Sequence, residues 1–192
     1  MQMILELHRR VVTAVGPIVG RVRPPDLARP TPCADWDVRA LLEHMIGQDH
    51  GFAAAIGTDV GREAFAPRPV GSDPAAAHAA GAAAVVAAFA AADPDRPVLL
   101  AEFGARFPLA DVAGFHLVDT LVHGWDVGVA LGAPVEFDDD LVAAALRVAE
   151  QVPADAAREA PGAPFAPPVP LREAGSWERT LALLGRDPAW RP

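Results

Sequence analysis

The sequence predicts an all-α fold with a short β-hairpin and a short C-terminal helix. Three observations lead there: apolar residues recur at helical spacing in long segments, Pro or Gly punctuates the ends of those segments, and the one stretch with strand character is only a few residues long. With 192 residues, 52% of them hydrophobic, the chain can bury one sizeable core. One domain is therefore expected over residues 1–192, with 153–192 as a Pro-rich tail and short helix.

Helix one is expected from Ile4 to about Val22, where Leu5, His8, Val12, Val15 and Val19 share a face and the Pro24-Pro25 pair prevents continuation. Asp35 is the expected N-cap of helix two, whose apolar face is Val38, Leu41, Leu42, Met45, Phe52 and Ile56. Residues 57–73 are rich in Gly and Pro and read as a surface connection, after which Ser72 or Asp73 caps an Ala-rich third helix ending near Ala92. Val98-Leu99-Leu100 and Ala105-Arg106-Phe107 flank Gly104 as a short hairpin. The longest apolar segment, Leu109 to Leu131, is helix four, ended by Gly132-Ala133-Pro134. Helix five follows from Asp138-Asp139-Asp140 to about Val152, with its acidic residues where the helix dipole favours them. Residues 153–175 are Pro-rich and irregular, and a short helix runs from Ser176 to Leu184.

A formal charge of −9 with scattered arginines argues against a nucleic-acid partner. The lone Cys33 excludes an internal disulfide, and Glu6 interrupts the N-terminus before a signal-peptide run develops, so a cytoplasmic location is expected. Apolar runs such as Gly81 to Ala92 consist of Ala, Gly and Val and are shorter than the roughly 20 residues of a bilayer span. No membrane partner is expected. All 16 basic residues are Arg, and Lys, Asn and Tyr are absent, which points to a GC-rich genome and makes the many alanines weak evidence beyond helix propensity.

The chemistry concentrates on helix four. His116, Asp119, Thr120, His123 and Asp126 fall within one third of its circumference, and no Lys, Arg or Glu occurs between Val112 and Val135. That pattern suits a polar stripe lining an internal cavity rather than a solvated face. Asp119 and His123, at i and i+4, can share one divalent ion at roughly 2.0–2.2 Å. His44, on the flank of the helix-two apolar face, is the candidate third ligand. Each of these histidines taken alone reads as a hydrogen-bonded buried residue; the combination points to an ion. Two His and one carboxylate leave coordination positions open, as in a catalytic site.

The segment Thr31-Pro32-Cys33-Ala34-Asp35-Trp36-Asp37-Val38-Arg39-Ala40-Leu41-Leu42-Glu43-His44 resembles the opening motif of the mycothiol-dependent maleylpyruvate isomerase-like proteins, within the DinB/YfiT-like superfamily. His116-Leu117-Val118-Asp119-Thr120-Leu121-Val122-His123-Gly124-Trp125-Asp126 resembles the second motif of that family. Phe165-Ala166-Pro167-Pro168-Val169-Pro170 and Leu181-Ala182-Leu183-Leu184-Gly185-Arg186-Asp187-Pro188 resemble the tail of one subgroup. The resemblance implies a four-helix bundle with a metal between helices two and four on His44, Asp119 and His123. It also implies mycothiol as a cofactor.

Other residues carry two readings each. Cys33 is either a reactive thiol near the helix-two N-terminus or, as preferred, a small packing residue. Asp126 is either a hydrogen-bond partner of a ligand imidazole or a solvated side chain. His116 is a fourth ligand or a proton carrier, and contact with a ligand or substrate fits its two-turn distance from His123 better. Trp36 and Trp125 are packing anchors, and His8, His50 and His78 are expected at the surface.

These readings make the chain a divalent-metal-binding protein. Zinc is the first expectation, with nickel and iron as alternatives. The leading function is an enzyme, an S-transferase or isomerase, acting on a small electrophilic substrate with a low-molecular-weight thiol held as thiolate by the ion. Metal-activated water performing hydrolysis is a close variant. The alternative is a non-catalytic metal-binding or small-molecule-binding bundle whose coordination is closed by a fourth protein ligand such as His116. An iron-dependent oxygenase ranks third. The enzyme reading predicts open positions facing a pocket near Gln48 and Gly51, and small bundles of this kind often pair as homodimers.

Overall fold

Six α-helices and one two-stranded hairpin form among the described residues, which in this computed structural model are 1–33, 35–133, 135–160 and 165–192. The order is α1 (Gln2–Val19), α2 (Val38–Gly57), α3 (Pro74–Ala91), β1 (Val98–Leu100), β2 (Ala105–Phe107), α4 (Leu109–Ala130), α5 (Asp139–Ala149) and α6 (Ser176–Leu183). α1 packs against α3 and α4, and α2 packs against the same two helices, so α1 and α2 occupy one diagonal of a four-helix bundle. The all-α expectation with a short hairpin holds.

Local chemistry sets the helix ends. Asp37, not Asp35, caps α2, accepting from the Ala40 amide at 2.8 Å. The cap falls two residues later because a bridge pairs Pro30 with Asp37 and the Val38 amide reaches Arg29 O at 3.0 Å, closing a loop that ends at Asp37. Asp73 caps α3 through the Ala76 amide, with Pro74 in the first turn where a missing N–H costs nothing. α1 stops at Val19 rather than Val22, and Arg21 and Val22 continue through tighter turns to Ile18 O and Val19 O. α4 closes with the Gly132 amide on Val129 O and the Ala133 amide on Gly128 O, a Schellman end whose left-handed residue is Gly132 (φ +70°). Pro134, the expected stop after it, lies outside the described residues. α5 ends at Ala149, shorter than expected.

The expected hairpin forms, with Val98 opposite Phe107, Leu99 opposite Arg106 and Leu100 opposite Ala105, and Gly104 takes positive φ in its turn. The main core gathers Val11, Val15, Leu41, Leu42, Leu117 and Leu121, each essentially inaccessible to solvent. A second cluster around Phe52, Phe65, Phe89 and Leu109 closes the hairpin end. α1 comes close to α4 at Gly124, where a Cβ would stand 2.5 Å from Val15 Cγ2.

α3, at 18 residues and mean hydropathy 1.5, is by length and composition alone able to cross a membrane. Here it lies on α1 and α2, burying His78, Gly81, Val85 and Phe89. The described part of the tail is held by specific contacts. A 3-10 turn spans Ala156–Glu159, and the buried Arg158 donates to the carbonyls of Val152, Pro153, Ala166 and Leu183. α6 packs on α5, with Trp177 against Phe137.

Candidate metal centre

α2 and α4 face each other where His44, Asp119 and His123 meet. The helical rise puts Asp119 and His123 on adjacent turns of α4, and His44 enters from the middle of α2. One ligating atom from each lies within 4.8 Å of the others. Asp119 Oδ1 stands 3.3 Å from His123 Nε2 and 3.6 Å from His44 Nε2. Two donors bound to one tetrahedral ion at roughly 2.0–2.1 Å stand about 3.3 Å apart, so this nitrogen-nitrogen-oxygen set fits a divalent cation. The His44 and Asp119 side chains are 20% and 24% exposed against 7% for His123, so the triad opens to solvent on the His44–Asp119 side.

The charges of the triad are complementary. Burial alone would raise the Asp119 carboxyl, but the His123 charge and hydrogen bonds from both imidazoles hold it well below the usual carboxylate range. Burial would likewise lower His123, yet Asp119, then Asp126 and Cys33, keep its imidazole well above the ordinary value. Trp36 lies across the site, its ring 4.6 Å from His44 and 5.9 Å from His123, so this packing anchor packs on two candidate ligands.

Behind His123 lies a second set of groups. His123 Nδ1 is 3.0 Å from Asp126 Oδ2, and that oxygen is also 3.3 Å from Arg186 Nη2 and 3.5 Å from Cys33 Sγ. Asp126 is fully buried, which decides its two readings in favour of the imidazole partner. Cys33 is half-buried and polar in its contacts rather than a mere packing residue, with Arg186 Nη2 2.8 Å from its sulfur. Cys33, His123 and Asp126 have ligand-like spacing, but the guanidinium already occupies the place a cation would take.

The polar stripe of α4 splits in two. His116 turns away from the triad: its Nε2 is 3.1 Å from Asp49 Oδ1, and its Nδ1 is 2.9 Å from His8 Nε2 and 3.2 Å from Thr120 Oγ1. Both of its ring nitrogens are thereby engaged by protein groups away from the triad. His8 and His78, expected at the surface, are buried, while His50 stays partly exposed. His8 lies on the same α1 face as Val11 and Val15, and Gly81 lets α3 press against Asp49, which draws His78 inward.

The expected pocket beside Gly51 is filled, since a Cβ there would meet the Phe65 ring. Gln48 instead donates to Glu102 Oε1 at 3.4 Å. Burial raises the Glu102 carboxyl; the Gln48 bond opposes this and the Asp119 charge adds to it, so Glu102 borders the triad electrostatically. Glu102 and Arg186 are the residues that sequence reasoning missed. One sits in a hairpin turn and the other in the tail, and only the Gly185-Arg186 motif after a helix hinted at either.

A family model described as the mycothiol maleylpyruvate isomerase N-terminal domain matches residues 8–128. Two relatives from Mycobacterium tuberculosis, one from strain CDC 1551 / Oshkosh and one from strain H37Rv, are each 33% identical over 193 residues, covering 95% of this chain and 97% of their own length. Both are called uncharacterized proteins. No solved structure matches the chain.

Proposed function

Because the chain belongs to the mycothiol maleylpyruvate isomerase N-terminal domain family, we propose that it holds one divalent ion on His44, Asp119 and His123 and acts with a low-molecular-weight thiol on a small electrophilic substrate. The reaction class is transfer or isomerisation, mycothiol is the thiol the family points to, and zinc is the first choice of ion. The observation that carries this reading is the triad itself: two imidazole nitrogens and a carboxylate oxygen, 3.3–3.6 Å from oxygen to nitrogen, with the open side toward solvent.

The ion's contribution is Lewis acidity, which favours the deprotonated form of a thiol near neutral pH although free thiols titrate near 8.5. The chain's own residues do the rest. Asp126 accepts from His123 Nδ1 and so directs Nε2 toward Asp119. Trp36 covers both imidazoles and limits water on that side. Gln48 holds Glu102 at the rim, where a carboxyl raised by burial can accept or return a proton at Oε1 or Oε2. His116 is tied to Asp49 and His8, which leaves the coordination of the triad open rather than closed by that side chain.

Elemental analysis of purified, dialysed protein tests the reading, with His123→Ala as the comparison and thiol titration of the loaded form to follow. Near-stoichiometric metal that is lost in the variant, together with saturable thiol binding, is expected. No metal under loading conditions in a folded wild type would overturn it.

A further inference from the structure

We propose that Arg186, far along the chain from the triad, is a positioning residue for the metal centre, setting the orientation of His123 through Asp126. The proposal rests on the metal-binding reading above. Arg186 lies 58 residues past Gly128, the end of the matched family segment, since 186 − 128 = 58.

The chain presents this guanidinium through a helix end. α6 closes with the Gly185 amide on Ala182 O at 3.1 Å and the Arg186 amide on Leu181 O at 2.9 Å. That is a Schellman end, and Gly185 takes the left-handed conformation it needs (φ +79°). Gly185 also lies against Ala166, where a Cβ would come within 2.7 Å of backbone and side chain. The turn therefore fixes where Arg186 leaves the helix. Its Nη1 then donates to Leu184 O at 2.8 Å, leaving Nη2 aimed at Asp126 Oδ2 (3.3 Å) and Cys33 Sγ (2.8 Å).

Asp126 and Arg186 are 0% and 6% exposed, so both charges are shielded from bulk solvent. Asp126 Oδ2 receives both Arg186 Nη2 and His123 Nδ1, which makes one oxygen the link between tail and imidazole. Removing the guanidinium strands a buried carboxylate, which must then move or recruit another donor, and His123 loses its fixed acceptor. A ring free to turn no longer keeps Nε2 facing Asp119. Groups that orient a ligand imidazole in this way typically alter metal affinity by about 10- to 100-fold.

The test uses the full chain as wild type, Arg186→Gln and Arg186→Lys. Zinc affinity is measured by competition with a chromophoric chelator, alongside imidazole ¹H–¹⁵N spectra of zinc-loaded and zinc-free protein. Arg186→Gln is expected to bind zinc roughly 10- to 100-fold more weakly and to shift the His123 Nδ1 signal, with Arg186→Lys between it and wild type. Arg186→Gln with wild-type affinity and unchanged His123 signals would overturn the proposal, even if its Tm falls, because Arg186 would then only pack the tail. Should Arg186→Gln not fold, Arg186→Lys decides alone: weaker zinc binding supports the proposal and wild-type binding overturns it. A wild type that binds no zinc would defeat the metal reading instead, and the zinc-free spectra would still report whether Arg186 orients the ring.

Discussion

His116 Nε2 lies 3.1 Å from Asp49 Oδ1, and neither side chain is more than a few per cent exposed. The pair joins α4 to α2 inside the bundle, apart from the triad of His44, Asp119 and His123, and Asp49 Oδ2 has no hydrogen-bond partner among the described residues. Removing Asp49 leaves His116 Nε2 buried without that partner, while Nδ1 keeps His8 and Thr120. Asp49→Ala is expected to cost about 1–3 kcal/mol in urea unfolding, while zinc affinity of the folded variant stays at the wild-type level. A parallel loss of zinc binding would show the two polar clusters to be coupled.

Acid sensitivity follows from His8. Burial first, then the neighbouring His116, lowers its folded pKa to about 2 from the ordinary 6.5. The unfolded chain therefore takes up a proton that the folded one refuses, and stability falls as pH drops from 6.5 toward 2. Between about pH 7 and 5 this single group accounts for about 2 kcal/mol. His8→Leu should lose correspondingly less stability over that interval by chemical denaturation, and an unchanged slope would contradict the assignment.

Metal binding should weaken as pH falls. His123 is held well above its ordinary pKa, with burial opposing and Asp119 and Asp126 prevailing, so an ion must displace a proton from it. Calorimetry in two buffers of different ionisation enthalpy is expected to report about one proton released per ion near neutral pH. Binding with no proton release would show that His123 is already neutral before the ion binds.

The close approach of α1 and α4 depends on Gly124. A Cβ there would lie 2.5 Å from Val15 Cγ2, on a stiff side chain with no solvent exposure. Gly124→Ala should destabilise by about 1–3 kcal/mol, and adding Val15→Ala should recover part of that loss in a double-mutant cycle. Strict additivity would mean the helices part by another route.

Arg158 pins the tail by its bonds to the carbonyls of Val152, Pro153, Ala166 and Leu183. Arg158→Ala is expected to cost about 1.5–3 kcal/mol and to make the tail beyond Glu150 the first site of limited proteolysis. Cleavage in the loop between α2 and α3 first would argue that the tail is held by packing alone.

The four bundle helices and the hairpin were legible because each carries a local signal. Apolar spacing marks the buried faces of α1, α2 and α4, Asp73-Pro74 announces α3, and Gly104 and Gly132 supply turns that need positive φ. The triad was legible in part for the same reason, since Asp119 and His123 at i and i+4 share a helix face whatever surrounds them. The histidines at 8 and 78 were not, because imidazole is compatible with either surface or core and only neighbouring helices decide which.

The sequence by itself determined the elements, the start of α3 at Asp73, the close of α4 at Gly132 and the polar side of α4, all of which depend on residues a few positions apart. Only the tertiary structure decided that this polar side divides, His116 toward Asp49 and His8, Asp119 and His123 toward His44. It likewise brought Cys33, Asp126 and Arg186 to one oxygen across 153 residues of chain. The physical reason is that a buried polar group takes whatever partner packing places within hydrogen-bonding reach, and that partner is set by helix crossings no local pattern encodes.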